Sequence, residues 1–284
     1  PVFIQQVDQG MVKLDKQPLR VRQLAALEQW DCQLGPGPLN GIVCSERAME
    51  LADQYGVGVV AMRNSNHWMR GGAYALKVAK AGYACIAVTN SSAVMPAWGA
   101  KDMRLGTNPL IIGIPGEPPA LLDMSCSQYS YGALEVAKVS GKTLAVAGGY
   151  DEDGNLSTDP AAVAQARRLL PTGFWKGSAL SIVLDMLVSL LADGNSTVEL
   201  TEDIGGETAI SQMFIVLNTK QTINPSAMQQ KLARIVDFTL ASVPVDEESC
   251  IQIPGYSIEK FIRDHEKNGG MPVSEDIWER IQKL

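Results

Sequence analysis

Apolar residues recur at helical spacing from Gly41 to Tyr55, where Val43, Met49, Leu51 and Ala52 share one broad face, and Gly56 stands where a C-cap would close the helix. The apolar run Val57 to Met62 then reads as a buried strand. A second helix and strand repeat the plan at Tyr74 to Ala81 and Tyr83 to Val88. Pro109 to Ile114 and Ala120 to Asp123 read as further strands around a Pro/Gly turn. Asp151-Glu-Asp-Gly-Asn155 is a polar turn, and Asp159-Pro160 offers an N-cap with proline at the first helical position. Ser178 to Leu191 is the strongest helical segment and is apolar nearly all round, which predicts a central helix. Met213 to Leu217 reads as a strand, Pro225 to Leu240 as an amphipathic helix and Ser274 to Leu284 as a short capped helix. Such alternation predicts an α/β fold or mixed α+β layers. No internal repeat or low-complexity linker interrupts it.

Composition narrows the class. With 284 residues, 46% of them hydrophobic and 19% charged, the chain can bury a sizeable core in one or two domains. The net charge of -7 repels a polyanion, so nucleic acid is not an expected partner, although a local basic pocket for a small anion stays open. Cys32, Cys44, Cys85, Cys126 and Cys250 are scattered, odd in number and never in a C-x-x-C pair. That pattern argues against a disulfide framework and a structural zinc site, and points to a reducing cytoplasm. No uncharged apolar run reaches the roughly 18 residues of a membrane span, and the start lacks the plan of a signal peptide. The sequence opens at Pro1 without a methionine, from which a missing native N-terminus is expected.

Few motifs carry chemistry. Gly56-Val-Gly-Val-Val-Ala61 has the letters of a dinucleotide fingerprint, but a helix ends and a strand begins there, the reverse of the required context. These glycines read instead as a cap and a close-packing position. Asp151-x-Asp153-Gly154 is too short for a calcium loop, and no metal site is expected. Of the two histidines, His265 lies in the charged run Arg263 to Asn268 and reads as a surface side chain. His67 lies in Met62-Arg-Asn-Ser-Asn-His-Trp-Met-Arg70, after a strand and before a helix, among amide and aromatic neighbours that crowd a loop rather than a core, which suits a functional side chain or a plain polar loop. Trp175-Lys176-Gly177-Ser178 precedes the strongest helix with Ser178 as a natural N-cap. Backbone N–H groups and a lysine would converge there on a phosphate or carboxylate, or the segment is a plain capped helix. Met95 to Lys101 and Gly106 to Pro109 are further glycine- and proline-rich loops.

In order and spacing, Arg63 to Gly72, Val94 to Lys101, Gly106 to Leu110, Leu122 to Ser125, Trp175 to Ser178 and Ser181 to Met186 resemble the malate/L-lactate dehydrogenase-like family of oxidoreductases, and the resemblance runs from Pro1 to Leu284. It implies a mixed sheet flanked by helices that binds NAD without a Rossmann fold, in a homodimer. The implied reaction is reduction of a 2-keto acid to a 2-hydroxy acid, foremost a diketo sugar acid, with NADH or NADPH as donor. Malate, L-lactate, ureidoglycolate and sulfolactate are alternative substrates, and a catalytically impaired dinucleotide-binding protein is the alternative from another class. Residues 31–225 would form the cofactor- and substrate-binding core, with 1–30 and 226–284 peripheral and mostly helical. By the same resemblance the cofactor would lie along Pro119, Ala120, Leu121, Leu122, Asp123, Met124 and Ser125, with Ser91, Trp175, Lys176, Gly255, Tyr256 and Ser257.

The chain departs from the family twice. A family Ser-His-Gly motif, whose histidine is the proposed proton donor, lies upstream of the segment matching Pro1 to Gln6, and this sequence begins after it. Gly255-Tyr-Ser257 stands where the family has Gly-His-Glu, which bears on the choice between NADH and NADPH.

Reduction of a ketone needs a hydride at carbon, a proton at oxygen and support for the developing alkoxide. His67 is expected to polarise the carbonyl or donate the proton, with Asn66 orienting it. Arg70 and Lys101 are the cations expected to hold the substrate carboxylate.

Overall fold

A computed structural model describes residues 2–202, 207–273 and 275–283. The strands are β1 (Leu19–Leu24), β2 (Leu27–Asp31), β3 (Val57–Ser65), β4 (Ala84–Thr89), β5 (Met95–Pro96), β6 (Met103–Leu105), β7 (Leu110–Ile114), β8 (Ala120–Met124), β9 (Gly149–Tyr150), β10 (Leu156–Ser157), β11 (Arg168–Leu169) and β12 (Ile210–Leu217). The helices are α1 (Val2–Asp8), α2 (Gly37–Tyr55), α3 (Gly71–Lys80), α4 (Tyr131–Val139), α5 (Pro160–Ala166), α6 (Trp175–Ala192), α7 (Thr197–Glu202), α8 (Thr219–Thr222), α9 (Pro225–Leu240), α10 (Tyr256–Lys267) and α11 (Glu275–Gln282).

Seven strands form one mixed sheet in the order β1-β2-β3-β12-β4-β7-β8. Among the described residues, only β2 and β3 pair in parallel within it. Strand alternation divides the core. Val60 and Met62 of β3, Cys85 and Ala87 of β4, and Phe214 and Val216 of β12 face α2 and α3. Ala61, Val88 and Met213 face α6 and the small lobe that contributes Leu134, Val163 and Leu169. The expected α/β layering, a mixed sheet flanked by helices, is therefore what forms.

Gly56 closes α2 at φ +80°, and its N–H bonds to the Ala52 carbonyl. A Cβ on Gly58 would sit 2.0 Å from the Ala48 carbonyl oxygen, so the second glycine lets α2 lie close on β3. Asp159 caps α5 by accepting from the Ala161 N–H, with Pro160 behind it. The helix expected over Ser274 to Leu284 is Glu275–Gln282, and its two expected end residues fall outside the described residues.

Two expectations change. Residues 1–30, expected as mostly helical, supply β1 and most of β2 to the central sheet. The helix α6 is not central. Leu184, Val188 and Ala192 pack on the sheet, while Val183, Met186 and Leu190 are 59%, 64% and 76% exposed. A sheet face accepts one stripe of a helix, so an all-round apolar sequence leaves its other stripe outside. By length and composition α6 is also apolar enough to cross a membrane, with mean hydropathy 1.5. Its mid-helix Asp185, however, accepts from the Asn90 side chain and from the Thr197 N–H, which ties it into this fold.

Candidate functional site

The loop after β3 is fixed from behind and open in front. The Asn66 side chain is buried and donates to the carbonyls of Leu34 at 2.8 Å, Gly35 at 3.1 Å and Met11 at 3.3 Å. Trp68 is buried against Tyr74 and Phe214, with ring centroids 5.6 and 5.4 Å away, and the Tyr74 hydroxyl donates to its carbonyl at 2.7 Å. With the residues on either side pinned inward, His67 is left outward. Its Nδ1 accepts from the Met69 N–H at 3.1 Å, which places the proton of the neutral ring on Nε2.

His67 and Arg70 line a cavity of about 680 Å³ that runs to the end of β8. That volume is in the range of small-molecule sites. Ser91, Asp123, Met124 and Ser125 line the same cavity, so six of the residues expected from sequence meet there. Asp123 accepts from the Gly72 N–H at 3.0 Å and pairs with Arg70 at 3.6 Å, joining the start of α3 to β8. Ser91 donates its N–H to Asn108 Oδ1, and its hydroxyl accepts from the Thr107 N–H. Asn108 in turn donates to Ser181 of α6, so this wall is braced through the core. Cys126 lies behind it, and burial pushes its thiol up to about 12, which removes it as a nucleophile at neutral pH.

The remaining expected residues lie elsewhere. Asn66 does not reach the His67 ring; it orients the loop through backbone carbonyls instead. Lys101 is exposed in the β5–β6 turn and is not among the side chains lining the cavity. Pro119, Ala120, Leu121 and Leu122 continue along β8 away from it. There the Leu121 N–H donates to the Pro254 carbonyl, and Gly255, at φ +92°, comes so close that a Cβ would lie 2.6 Å from Leu121 N. Tyr256 lines a separate cavity of about 250 Å³ with Ala120, while Ser257 is exposed at the start of α10.

The anion site expected at the start of α6 needs correction. The helix begins at Trp175, not after a cap at Ser178; the N-cap is Phe174 at φ +60°. Ser178 is buried within the first turns and accepts from the Trp98 N–H at 3.0 Å. The Gly177 N–H is held by the Thr172 carbonyl and the Lys176 N–H by that of Gly173, so these groups are not free for an anion. Trp175 and Lys176 are exposed beside the stacked pair Trp98 and Phe174.

Sequence reasoning missed Glu207, Gln212, Asn90 and Thr107, all on the cavity wall. The signal for Glu207 was a carboxylate directly ahead of an apolar strand. Its oxygen accepts from the Ser92 hydroxyl at 3.2 Å. Burial raises the carboxyl above its ordinary range, against the opposing charge of His67 and the Ser92 hydrogen bond. His265, by contrast, is exposed on α10 and stacks on Phe261. Among the described residues no cluster of metal-ligating side chains occurs.

The sequence profile of the malate/L-lactate dehydrogenase family matches residues 1–282. The chain is 47% identical over 284 residues to 2,3-diketo-L-gulonate reductase of Pasteurella multocida (strain Pm70), spanning 100% of this chain and 85% of that protein. It is 46% identical to 2,3-diketo-L-gulonate reductase of Escherichia coli O1:K1 / APEC, with the same coverage. Among solved structures, sulfolactate dehydrogenase from Methanocaldococcus jannaschii matches with a TM-score of 0.84 at 25% identity, over 99% of this chain and 81% of that one. Malate dehydrogenase from Pyrococcus horikoshii OT3 shares the fold, with a TM-score of 0.86 at 24% identity over 99% of this chain and 79% of that one.

Proposed function

The chain belongs to the malate/L-lactate dehydrogenase family and is an oxidoreductase, and we propose that it reduces 2,3-diketo-L-gulonate to 3-dehydro-L-gulonate with NADH, NADPH being the alternative donor. The observation that carries this reading is the shared cavity: an imidazole and a guanidinium on one loop face a wall of hydroxyl and amide groups in a space of ligand size.

That wall fits a nicotinamide dinucleotide. Ser91, Thr107, Ser125 and Gln128 offer hydroxyl and amide partners of the kind that ribose and carboxamide groups require, on a backbone braced against α6. Ser91 and the stretch Asp123 to Ser125 would hold the cofactor. Pro119 to Leu122 with Gly255, Tyr256 and Ser257 would extend its groove, and Trp175 and Lys176 would lie at its rim. When bound, the cofactor supplies the hydride.

The chain's own residues supply the rest. His67 presents its Nε2 proton to the keto oxygen, where negative charge develops during reduction. Arg70 meets the substrate carboxylate with a planar fork of donors, and Asp123 holds that guanidinium in place. Lys101 has no such station on the cavity.

The exposed apolar stripe of α6 favours a second copy of the chain as its cover, hence a homodimer. Five free thiols, four of them buried, favour the cytoplasm. The acidic balance of charge favours neither nucleic acid nor an anionic membrane as partner.

The test follows NADH oxidation against 2,3-diketo-L-gulonate, oxaloacetate, pyruvate and sulfopyruvate. The diketo sugar acid is expected to give the highest kcat/KM. A higher value for any of the other acids would transfer the substrate assignment to it, and turnover of none would remove the activity.

A further inference from the structure

Gln212 is an amide in an otherwise apolar row of β12. Strand alternation places it on the side of Phe214 and Val216, which pack with α2 and α3. Its side chain is buried, and the residue forms part of the floor of the cavity lined by His67 and Arg70. The main chain of Gln212 lies between Met62 of β3 and Thr89 of β4, so the side chain is what it offers to that space.

An irregularity in β3 sets the position of the amide. Between Ile210 and Gln212 the register with β3 slips, and Asn64 in the slipped stretch has φ +52°. The chain beyond is turned over β12, where Gln212 Nε2 donates to the Asn66 carbonyl at 3.4 Å. A carbonyl can only accept, so this contact identifies the two ends of the amide. It also ties Gln212 to the peptide bond that carries His67.

The other end is unpartnered. Gln212 Oε1 meets no donor among the described residues. Thr89, its cross-strand neighbour, directs its hydroxyl to the carbonyls of Asn90 and Ser211. A buried acceptor in that state is unfavourable, and an apolar side chain of similar length would complete the row without it. A ligand that brings a donor to the oxygen offsets this cost.

The place of β12 in the sheet indicates which ligand. In the order β3-β12-β4-β7-β8 it adjoins the strand that leads to His67 and stands three places from β8, along which the cofactor is proposed to lie. We propose that Gln212 is a specificity-determining residue whose Oε1 accepts a hydrogen bond from a substrate hydroxyl, so that the site favours hydroxylated 2-keto acids over unsubstituted ones. This rests on the reductase reading. A diketo sugar acid carries hydroxyls beyond its keto groups, whereas a plain keto acid covers the oxygen and supplies no donor.

The test is Gln212→Met, which keeps the length of the side chain and removes both ends of the amide. The ratio of kcat/KM for 2,3-diketo-L-gulonate to that for 2-oxohexanoate, a keto acid of equal chain length without hydroxyls, is expected to fall at least about tenfold. An unchanged ratio would overturn the assignment, and a proportionate fall with both acids would show that the amide only holds the loop at Asn66. A rise confined to the KM of NADH would give the oxygen to the cofactor, again overturning it.

Binding supplies a readout without turnover. L-gulonate has hydroxyls but no keto group, and hexanoate has neither. In calorimetry with NADH present, Gln212→Met is expected to weaken L-gulonate about tenfold relative to hexanoate. Equal weakening of both counts against the hydroxyl contact. Should the variant not fold, the parent chain decides: L-gulonate is expected to bind at least about tenfold tighter than hexanoate, and equal or weaker binding removes the proposal. If no 2-keto acid is turned over, the reductase reading fails, while the binding comparison still decides the role of Gln212.

Discussion

The loop from Asn66 to Arg70 and the start of α6 from Trp175 to Ser178 are made of similar materials: an aromatic residue, a cation and small polar groups between two regular elements. They end in opposite conditions. In the first, the polar groups that fix the backbone point inward, and His67 and Arg70 remain available to a cavity. In the second, the backbone N–H groups are taken by Thr172 and Gly173, Ser178 holds Trp98, and the side chains of Trp175 and Lys176 do not line the cavity of His67. A site therefore depends less on which polar residues a loop carries than on which of them the surrounding backbone has already used.

Substitutions can break or sharpen that contrast. His67→Ala should have the largest effect, a fall in kcat of roughly 10²–10⁴-fold, the usual contribution of a general acid. A kcat within threefold of the parent chain would erase the distinction between the two loops. Asn66→Ala takes the donor from three carbonyls, that of Gly35 buried and those of Leu34 and Met11 half-buried, and should cost about 1–3 kcal/mol in denaturant unfolding, with activity falling as the loop loosens. An unchanged unfolding midpoint would show that the loop is held by Trp68 alone. Arg70→Ala should raise KM for the keto acid roughly tenfold, as expected when a charged hydrogen bond is lost, with a smaller change in kcat. A rise confined to the KM of NADH would assign Arg70 to the cofactor instead. Lys176→Ala should have the smallest effect, at most about threefold in the KM of NADH, because an exposed ammonium is largely screened. A larger loss would restore the start of α6 as an anion site in spite of its occupied N–H groups.

Much of the scaffold was legible along the chain. Gly56 announced the end of α2, Asp159-Pro160 the start of α5, and Pro225 to Leu240 the full length of α9, because caps and periodicity act within a turn or two. The hairpin of β1 and β2 was not legible. Leu19-Arg-Val-Arg22 alternates over only four residues and is exposed along its whole length, so no buried face marks it as a strand, and pairing with β2 makes it one. The extent of the site was partly legible for the same reason. His67, Arg70, Ser91 and Asp123 to Ser125 could be named, but not Glu207 or Gln212, which come to the cavity with β12.

That strand marks the division between the two sources of information. The sequence by itself determined enough apolar residues for a sizeable core, the places where helices begin and end, a loop in which polar and aromatic residues cluster, and, through several motifs together, the family. Only the tertiary structure placed β12 between β3 and β4, antiparallel to both. This brings Glu207 to the cavity of His67 from 140 residues farther along the chain (207 − 67). Periodicity records whether a position faces apolar surroundings, and it carries no label for which distant polar group will share them. That is settled when strands choose neighbours by the packing of both sheet faces at once.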